Sequence, residues 1–311
     1  MPPAPPRRIL CLGGAAVDRT YRVRDAVRLG TSNPATAGVS HGGVARNVAE
    51  TLARLGAPVA LATVVGADAA GAEIVSALAE RGVDVSGIER ADGMRTAEYV
   101  AVLAPDGALH VGLAAMEGLA RLDAGFVGRA EPALDLAGLV FADANCAADA
   151  LAALVERARG APWRLALDAV SVAKSARLPR DLHGVAVLFC ARDEAEAIVG
   201  AVCPPEDLAC ALVARGAAAA VVTLGADGLV HAEAHGATHR PAPAADVVDV
   251  TGAGDALIAG TLHRLAAGAI PSDALAAGQA LARLTIARPG AVRADLSPAL
   301  LAEALADGAA P

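Results

Sequence analysis

The chain has 311 residues, of which 55% are apolar and 2% aromatic, and its formal net charge is −8 at pH 7. That length allows one large α/β unit with a sizeable core. The negative charge argues against non-specific nucleic-acid binding, and the absence of an uninterrupted apolar run of 18 residues argues against a membrane span.

Five cysteines are scattered along the chain without a CxxC pair: Cys11, Cys146, Cys190, Cys203 and Cys210. Scattered, odd-numbered cysteines predict reduced thiols, and we expect a cytoplasmic protein. Residues 2–8 are rich in proline and arginine and lack an apolar signal core, so they predict a short disordered lead-in to the first strand.

Short apolar runs alternate with segments of helical periodicity along most of the chain. The predicted strands lie at 9–12, 59–65, 139–142, 165–167, 185–189 and 221–224. The predicted helices lie around 69–81, 147–159, 193–200, 206–215 and 273–287. This alternation predicts an α/β fold with a central, mostly parallel sheet flanked by helices. No linker or repeat divides the chain, so we expect residues 1–311 to form a single domain.

Two regions interrupt the alternation. Residues 96–103 and 108–113 surround Pro105-Asp106-Gly107, a sequence typical of a β-hairpin. Residues 19–40 also lack helical periodicity. We expect both regions to be extended.

The segment HGGVARN, which ends at Asn47, begins an amphipathic helix with apolar residues at 44, 48, 52 and 55 and a glycine at 56. Gly42 and Gly43 would let a ligand approach the backbone, and Asn47 offers a donor and an acceptor. Taken alone, the segment also fits an ordinary helix start.

The segment DVTGAGD, which ends at Asp255, carries the strongest functional signal. An extended run at 246–250 precedes a glycine turn and a helical pattern. The N–H groups of Gly252, Ala253 and Gly254 are expected to be free at the helix N-terminus, where the partial positive charge binds anions. Asp255 would then accept the proton of an attacking hydroxyl, as phosphoryl transfer to an alcohol requires.

Three other interpretations of DVTGAGD were weighed. A glycine-rich helix start capped by Asp255 is purely structural and stays open. A dinucleotide fingerprint GxGxxG would need a third glycine where Leu257 stands, and no GxxxxGK[ST] sequence occurs in the chain.

The two glycine segments lie about 200 residues apart, and together they resemble the two signatures of the PfkB (ribokinase-like) sugar and nucleoside kinases. The resemblance covers nearly the whole chain. It implies a ribokinase-like fold whose small β lid, around 19–40 and 94–116, closes over the acceptor. It also implies ATP as the donor, Asp255 as the general base, and Gly252, Ala253 and Gly254 as the groups that stabilise the transferring phosphoryl group.

On the acceptor side, Asp18 follows the first predicted strand, and its carboxylate can accept two hydrogen bonds from a vicinal diol. A turn-forming aspartate is the alternative. The family resemblance implies that Asp18, Gly42, Gly43 and Asn47 hold the sugar.

Three shorter motifs resemble the pseudouridine kinases within this family: SNP, ADxN at one strand end and DxVSxxK at the next. Their candidate substrate-binding residues are Asn33, Asp143, Asn145, Ser171 and Lys174, and Lys174 is the only lysine of the chain. Strand C-termini are where ligands bind in α/β sheets, which favours such a role. SNP is also a common turn, and DxVSxxK also fits a solvated loop.

On the donor side, Thr223 lies near the end of the last predicted parallel strand, and Gly225 and Gly228 follow that strand. An Asp-Gly pair there is also typical of a plain hairpin. The resemblance puts the triphosphate of ATP beside these three residues and beside Gly252 and Gly254.

The resemblance further implies two cation sites. Glu194 would hold Mg²⁺ through water, but the asparagine that the family usually has three positions earlier is Ala191 here. We therefore expect an altered metal affinity, with Asp193 or a water compensating. The residues expected to hold a monovalent cation, K⁺, are Asp249, Thr251, Ala287 and Gly290.

The sequence thus predicts an ATP-dependent, Mg²⁺-requiring kinase that phosphorylates the 5′-hydroxyl of pseudouridine. A PfkB kinase for ribose, another sugar or another nucleoside is the first alternative, and a non-catalytic ligand-binding homologue is the second. The expected partners are small molecules, with no nucleic acid and no membrane, and a homodimer stays open as the assembly.

Overall fold

The computed structural model describes residues 8–308, with side chains as far as residue 306, so residues 2–7 of the expected disordered lead-in lie outside the described residues. The strands in chain order are β1 (Arg8–Leu12), β2 (Ala16–Val23), β3 (Ala35–Gly42), β4 (Val59–Gly66), β5 (Asp84–Ala91), β6 (Glu98–Leu103), β7 (Leu109–Ala115), β8 (Ala137–Asp143), β9 (Arg164–Asp168), β10 (Val185–Ala191), β11 (Ala219–Thr223), β12 (Leu229–Glu233) and β13 (Gly236–Arg240).

The helices in chain order are α1 (Val44–Arg54), α2 (Ala69–Glu80), α3 (Ala124–Arg129), α4 (Glu131–Leu136), α5 (Ala148–Ala158), α6 (Val172–Ser175), α7 (Arg192–Val199), α8 (Pro205–Ala214), α9 (Ala253–Ala266), α10 (Pro271–Ile286) and α11 (Pro298–Gly308). Short 3₁₀ turns lie at Glu117–Arg121 and Gly225–Asp227. The predicted helices and strands of the βα alternation are therefore confirmed. No helix of the described chain is long and apolar enough to cross a membrane.

The large sheet has the strand order β13-β12-β11-β10-β9-β8-β1-β4-β5. Its strands from β11 to β5 pair in parallel, and only β12 and β13 pair antiparallel. Every residue of β4 is buried, as expected of a parallel strand that is covered on both faces. The predicted α/β class with a mostly parallel sheet is confirmed.

Helices cover both faces of this sheet. On one face, Leu52 of α1, Leu262 of α9 and Leu281 of α10 are fully buried in the same apolar cluster. On the other face, Leu154 of α5 and Leu212 of α8 are fully buried in a second cluster. The central sheet is thus buried on both sides, and its strand ends are the part of it that a ligand can reach.

The small sheet has the strand order β3-β2-β6-β7 and contains the two regions predicted to be extended. Asp68 ties it to the large sheet, because its carboxylate caps α2 at Gly71 (2.8 Å) and accepts bonds from the Thr96 N–H (2.9 Å) and hydroxyl (2.6 Å). The hydrogen bonds from Thr96 lower the pKa of Asp68, so this anchor is ionised at neutral pH.

The run at 246–250, expected to be extended, lies outside the helices and strands. The N–H groups of Val248 and Asp249 both donate to the Ile286 carbonyl, at 2.8 and 3.1 Å. These two bonds hold the segment against the end of α10.

Candidate active site

The C-terminal ends of β1, β8, β9, β10 and β11 meet at one edge of the large sheet. Asp143 of β8 is in register with Asp168 of β9, and Ala191 of β10 is in register with Thr223 of β11. The N-termini of α1 and α9 and the near end of the small sheet meet over this edge. Ligands of open α/β sheets bind at such an edge.

The N-terminus of α9 begins in a turn in which the Ala253 N–H donates to the Val250 carbonyl at 3.2 Å. The expectation that the Ala253 N–H is free was therefore wrong, because the glycine turn itself uses it. Within residues 8–308, no acceptor is recorded for the N–H groups of Gly252 and Gly254. Two donors at a helix N-terminus can still bind an anion.

The two glycines of this turn have different reasons to be glycine. Gly252 has φ 76°, and a Cβ there would overlap the Ala291 carbonyl, so the backbone itself requires glycine. A Cβ at Gly254 would meet nothing within 4 Å. Gly254 therefore leaves open the space directly in front of the helix N-terminus.

Asp255 lies in the first turn of α9, and its Oδ2 accepts a hydrogen bond of 2.6 Å from Asn47 Nδ2. A carboxylate can only accept, so this bond fixes the amide orientation of Asn47. The buried Asn47 Oδ1 then has no partner among the described residues. It is an orphaned acceptor beside a carboxylate, which fits the hydroxyl of a bound ligand.

The electrostatic surroundings of Asp255 suit a base. Burial raises its pKa to about 6, while the Asn47 hydrogen bond and the Arg46 charge lower it and the charges of Asp143 and Asp18 raise it. A carboxylate with a pKa near 6 is ionised at pH 7 and is a better proton acceptor than an exposed aspartate.

Asp18 and the glycine pair face this carboxylate from the other side. Burial raises the pKa of Asp18, and the Arg46 charge lowers it. A Cβ at Gly42 would overlap the Asp18 carboxylate, and a Cβ at Gly43, where φ is 95°, would overlap the Gly14 carbonyl. Gly42 therefore makes room for a side chain, whereas Gly43 lets α1 start against the turn that follows β1.

Asp143 does not line the site as predicted. Its side chain is completely buried and accepts hydrogen bonds from the N–H groups of Gly14 (3.0 Å), Ala45 (2.8 Å) and Asn145 (2.9 Å). Asp143 was expected to contact the substrate, but it is not positioned to do so, because no oxygen of its side chain faces open space. Asp143 instead joins the turn after β1, the start of α1 and the end of β8.

Asn145 and Lys174 come together from the two shorter strand-end motifs. Lys174 Nζ donates to Asn145 Oδ1 at 2.6 Å and lies 3.9 Å from Met116 Sδ, beyond the end of β7. The side chain of Asn145 is buried, whereas that of Lys174 is half-buried, and burial lowers the Lys174 pKa. The ammonium group keeps N–H donors for a ligand.

Ser171 and Asn33 have local roles here. Ser171 caps the short helix α6, with its Oγ 3.4 Å from the Lys174 N–H. Asn33 binds the Arg28 N–H (2.8 Å) and carbonyl (2.9 Å) in the loop between β2 and β3. That loop is at the far end of the small sheet, five paired residues beyond Asp18, so the structure does not bring Asn33 to the site.

A cavity of about 160 Å³ lies between β9, α7 and α9, and three carboxylates line it: Asp168, Glu194 and Asp255. Burial raises the pKa of Asp168 well above its usual value, and the charges of Glu194 and Asp255 raise it further. Nothing in the lining residues offers a balancing cation. A site of this charge favours a bound divalent cation.

The donor set fits Mg²⁺ held through water. Carboxylate oxygens are its preferred protein ligands, and it retains several waters. No group of three His, Cys, Asp or Glu side chains in the described chain is close enough to hold a metal directly. Asp193, expected to compensate for Ala191, lines a separate cavity instead, whereas Asp168 shares that of Glu194. Asp168 was not predicted as a metal-site candidate from the sequence, although it begins the DxVSxxK motif at the end of β9, in register with Asp143.

A second cavity, of about 180 Å³, adjoins the N-terminus of α9 on the other side. It is lined mainly by aliphatic residues and glycines: Thr223, Gly225, Gly228, Leu229, Ala242, Pro243, Ala253, Gly254, Leu257, Gln279, Ala282, Arg283 and Ile286. The expected ATP-binding residues other than Gly252 all lie here. A narrow apolar slot that opens at a helix N-terminus suits a nucleotide, with the nucleobase in the slot and the phosphates at the helix N-terminus.

The two loops expected to hold a monovalent cation are adjacent. Asp249 Oδ2 accepts from the Gly290 N–H and its Oδ1 from the Thr251 N–H, each at 2.9 Å. Ala287 ends α10 one residue after the Ile286 carbonyl that binds the Asp249 N–H. All four candidate residues therefore lie in two loops beside the α9 N-terminus.

Comparisons with known proteins show the family and the fold of the chain. The profile of the family described as "pfkB family carbohydrate kinase" matches residues 6–298. The pseudouridine kinase of Escherichia coli K12 is 29% identical over 257 residues, covering 81% of this chain and 82% of that protein. The guanosine-inosine kinase of Exiguobacterium acetylicum is 28% identical over 71% of this chain and 75% of that protein.

The fold also matches solved structures. Arabidopsis thaliana ribokinase, solved in complex with ribose and ATP, superposes with a TM-score of 0.84 over 96% of this chain and 98% of that chain, at 21% identity. The predicted ribokinase-like fold is thereby confirmed. Because the family profile spans nearly the whole sequence, the chain belongs to the pfkB family of carbohydrate kinases and is a phosphotransferase with an alcohol group as acceptor.

Proposed function

We propose that this kinase transfers the γ-phosphoryl group of ATP to the 5′-hydroxyl of pseudouridine, giving pseudouridine 5′-phosphate and ADP. The observation that carries the acceptor assignment is the bond between Lys174 and Asn145. It joins the two strand-end motifs that resemble pseudouridine kinases, and it does so next to the carboxylate-lined edge. The similarity to the E. coli pseudouridine kinase supports the same acceptor.

Asp255 acts as the general base. Asn47 holds its carboxylate at 2.6 Å, and the free Asn47 Oδ1 accepts a bond from an acceptor hydroxyl. As the oxygen of the 5′-hydroxyl bonds to phosphorus, its proton passes to Asp255. The bond from phosphorus to the bridging oxygen breaks, and its electron pair leaves with ADP.

The N-terminus of α9 stabilises the charge that develops on the transferring group. Gly252 and Gly254 supply N–H donors, and the helix dipole adds to them. Ala253 contributes by completing the turn. The open space over Gly254 connects this end to the cavity containing Thr223, Gly225 and Gly228, which we assign to ATP.

Two cations complete the proposed site. When bound, Mg²⁺ neutralises phosphate charge. Glu194 and Asp168 hold it through water, and this pair takes over from the asparagine that Ala191 replaces. K⁺ binds between the Asp249–Thr251 and Ala287–Gly290 loops, where it supports the shape of the turn before α9.

The small sheet serves as the lid of a single kinase domain formed by residues 1–311. Asp18, near its inner end, binds two sugar hydroxyls, and Gly42 gives that carboxylate its space. A sheet that covers the acceptor excludes water and so limits hydrolysis of ATP. Gly43 and Asp143 act indirectly, by fixing the start of α1.

Lys174 recognises the uracil ring of the acceptor. Asn145 orients the Lys174 ammonium group, and a remaining ammonium N–H donates to a carbonyl of the ring. Pseudouridine differs from uridine by a C–C glycosidic bond and an additional ring N–H. Lys174 can only donate, so discrimination between the two requires an acceptor oxygen that pairs this N–H. That oxygen would be left unsatisfied with uridine, at a cost of about 1–3 kcal/mol, or roughly 5–150-fold in kcat/KM.

The test is a set of acceptors with identification of the products. Pseudouridine, uridine, inosine, guanosine and ribose are each assayed with ATP, and the phosphorylated position is read by NMR. We expect kcat/KM to fall from pseudouridine to uridine to ribose, with no product from 5′-deoxypseudouridine. If ribose or another free sugar is the best acceptor, the pseudouridine assignment is wrong and the first alternative holds. If inosine or guanosine is best, the acceptor resembles that of the Exiguobacterium relative.

A variant sharpens this test. Lys174→Met keeps the apolar stem and removes the ammonium donor, so it is expected to lower kcat/KM for pseudouridine roughly tenfold and to leave that for ribose nearly unchanged. Arg180→Met, a change outside the site cavities, is the matched control. An equal loss for pseudouridine and ribose would contradict base recognition by Lys174.

A further inference from the structure

Arg46 is a buried arginine in the first turn of α1 whose three nitrogens all have partners. Only 3% of the residue is exposed. Its Nε donates to the Gly42 carbonyl at 3.2 Å, its Nη2 to the His41 carbonyl, and its Nη1 to Glu50 Oε2 at 2.6 Å. One edge of the guanidinium thus binds the last two residues of β3, and the other binds a carboxylate within α1.

Glu50 has two ion-pair partners besides Arg46. Its Oε1 also forms ion pairs of 2.8 Å with Arg54 and with Arg81. Three guanidinium groups therefore share one carboxylate, and this cluster keeps a net positive charge. Burying an uncompensated charge is costly unless other groups of opposite sign face it.

Those groups are the carboxylates of the active site. The Arg46 charge interacts with both Asp18 and Asp255. Asp18 lies against Gly42, whose carbonyl Arg46 holds, and the residue after Arg46 is Asn47, which binds Asp255. Arg46 is therefore hydrogen-bonded to the glycine against which Asp18 lies, and it is next in sequence to the asparagine that binds the base.

We propose that Arg46 is a positioning residue for phosphoryl transfer: its guanidinium fastens the end of β3 to α1 and sets a buried positive charge between Asp18 and Asp255. Through the first effect, the small sheet and the base keep their relative position. Through the second, two carboxylates that share a buried site are held in their charged forms.

The charges around Asp255 are consistent with this role. The charged or hydrogen-bonding groups that face it from the surrounding elements are Arg46 and Asn47 on α1, Asp18 on β2, Asp143 on β8, Asp168 on β9 and Glu194 on α7. Arg46 is the single cation among them. Burial raises the pKa values of Asp18 and Asp255, and the Arg46 charge opposes that rise at both.

The experiment compares Arg46→Gln, which removes the charge, with Arg46→Lys, which keeps the charge but replaces the planar guanidinium, whose donors lie on three nitrogens, by a single ammonium nitrogen. Arg81→Gln is the matched control, because it removes another ion pair of Glu50 without touching β3. The readouts are the pH dependence of kcat/KM, the KM for the acceptor and the thermal unfolding temperature. The acceptor is whichever compound the wild-type kinase phosphorylates best, so the result does not depend on pseudouridine.

In Arg46→Gln, the acidic limb of the pH profile is expected to move up by about one unit or more, and the acceptor KM to rise about tenfold. In Arg46→Lys, the limb is expected to stay in place while the KM rises. Arg81→Gln is expected to change neither. An unchanged limb and KM in folded Arg46→Gln, or an equal shift in Arg81→Gln, would overturn the proposal.

If Arg46→Gln does not fold, Arg46→Lys decides. A wild-type acceptor KM in this variant overturns the fastening role, and an acidic limb that moves despite the retained charge overturns the electrostatic role. A wild-type limb with a raised KM supports both. Failure of the pseudouridine assignment would alter only the choice of acceptor and would leave these comparisons intact.

Discussion

The acceptor side and the donor side of the site are built in different ways. The acceptor side consists of charged side chains from distant segments, held by long-range bonds such as that between Asn47 and Asp255. The donor side is an apolar slot made mostly of aliphatic residues and glycines between β11, α9 and α10. Under the proposed function, we therefore expect charge and hydrogen bonding to select the acceptor, and shape and backbone donors to bind the triphosphate, whose own charge is large.

The glycines show the same difference. Gly43 and Gly252 have positive φ, and a Cβ at either would overlap backbone, so they serve the fold. A Cβ at Gly254 would enter open space, so the fold does not require glycine there, and we expect this glycine to leave room for a ligand. Substitutions on the donor side should therefore change the KM for ATP, and substitutions on the acceptor side should change kcat or the KM for the acceptor.

The largest expected effect follows from removing the base. Asp255→Asn is expected to lower kcat by about 10²–10⁴-fold, because the amide cannot take the hydroxyl proton, while nucleotide affinity changes little. Steady-state rates and nucleotide titration measure the two quantities. Asp273→Asn, an exposed change in the first turn of α10, is the control. Near-normal kcat in folded Asp255→Asn protein would remove Asp255 from this role.

The pH profile is the next test of the acceptor side. The pKa of Asp255 is raised to about 6, and the base must be ionised to act. We expect kcat/KM to be flat above about pH 7 and to fall roughly tenfold per unit below about pH 6, as the carboxylate takes up a proton. The profile is measured with saturating Mg²⁺. A limb near pH 4, the value for an exposed aspartate, would mean that Asp255 is not the titrating base.

A methyl group on the donor side should have a smaller and selective effect. Gly254→Ala is expected to raise the KM for ATP about tenfold or more. The added methyl group would occupy space that the bound triphosphate needs, and overfilling a packed site costs ~1–3 kcal/mol. The acceptor KM should not change. Gly128→Ala, another glycine with no heavy atom within 4 Å of the added Cβ, is the matched control. If the KM for the acceptor rises together with the KM for ATP, the acceptor side and the donor side are not independent as proposed.

The smallest expected effect concerns the cation loops. Rates in K⁺ are expected to exceed those in Na⁺ or a bulky organic cation by about fivefold at equal ionic strength, since a bound ion couples to the site by ~1 kcal/mol or more. Asp249→Asn should reduce this difference, because Asp249 joins the two loops. Equal rates in all three salts would argue against a functional monovalent site.

Much of the donor side was predictable from local sequence. A strand followed by glycines, and a glycine turn followed by an apolar helical pattern, specify a helix N-terminus next to a strand end. Gly252 and Gly254 accordingly lie at the start of a helix, and Thr223 and Gly225 at a strand end and in a turn. That the two segments line one cavity was implied only by the family resemblance. Even here, the bond from Ala253 to Val250 escaped prediction, because it depends on how tightly the turn closes.

The acceptor side was less predictable. Asp143 and Asn33 were predicted to bind the substrate, but their side chains bond to backbone groups instead. Asp168 shares a cavity with Glu194 and Asp255, Arg46 binds the end of β3, and the sequence contains no spacing rule for such contacts. Val170 is a further example: it adopts φ 66°, which a β-branched residue rarely does, beside Asp168, whose Oδ2 binds its N–H at 3.0 Å.

By itself, the sequence determined the α/β class, the order of strands and helices, and the two glycine segments that start α1 and α9, because periodicity and glycine conformations are local properties. Only the tertiary structure decided which carboxylates face a ligand and which are consumed by backbone donors. It also decided that Arg46 is buried where its charge interacts with both Asp18 and Asp255. These outcomes depend on burial and on partners far away in sequence, since the charge state of a side chain is set by what surrounds it in space.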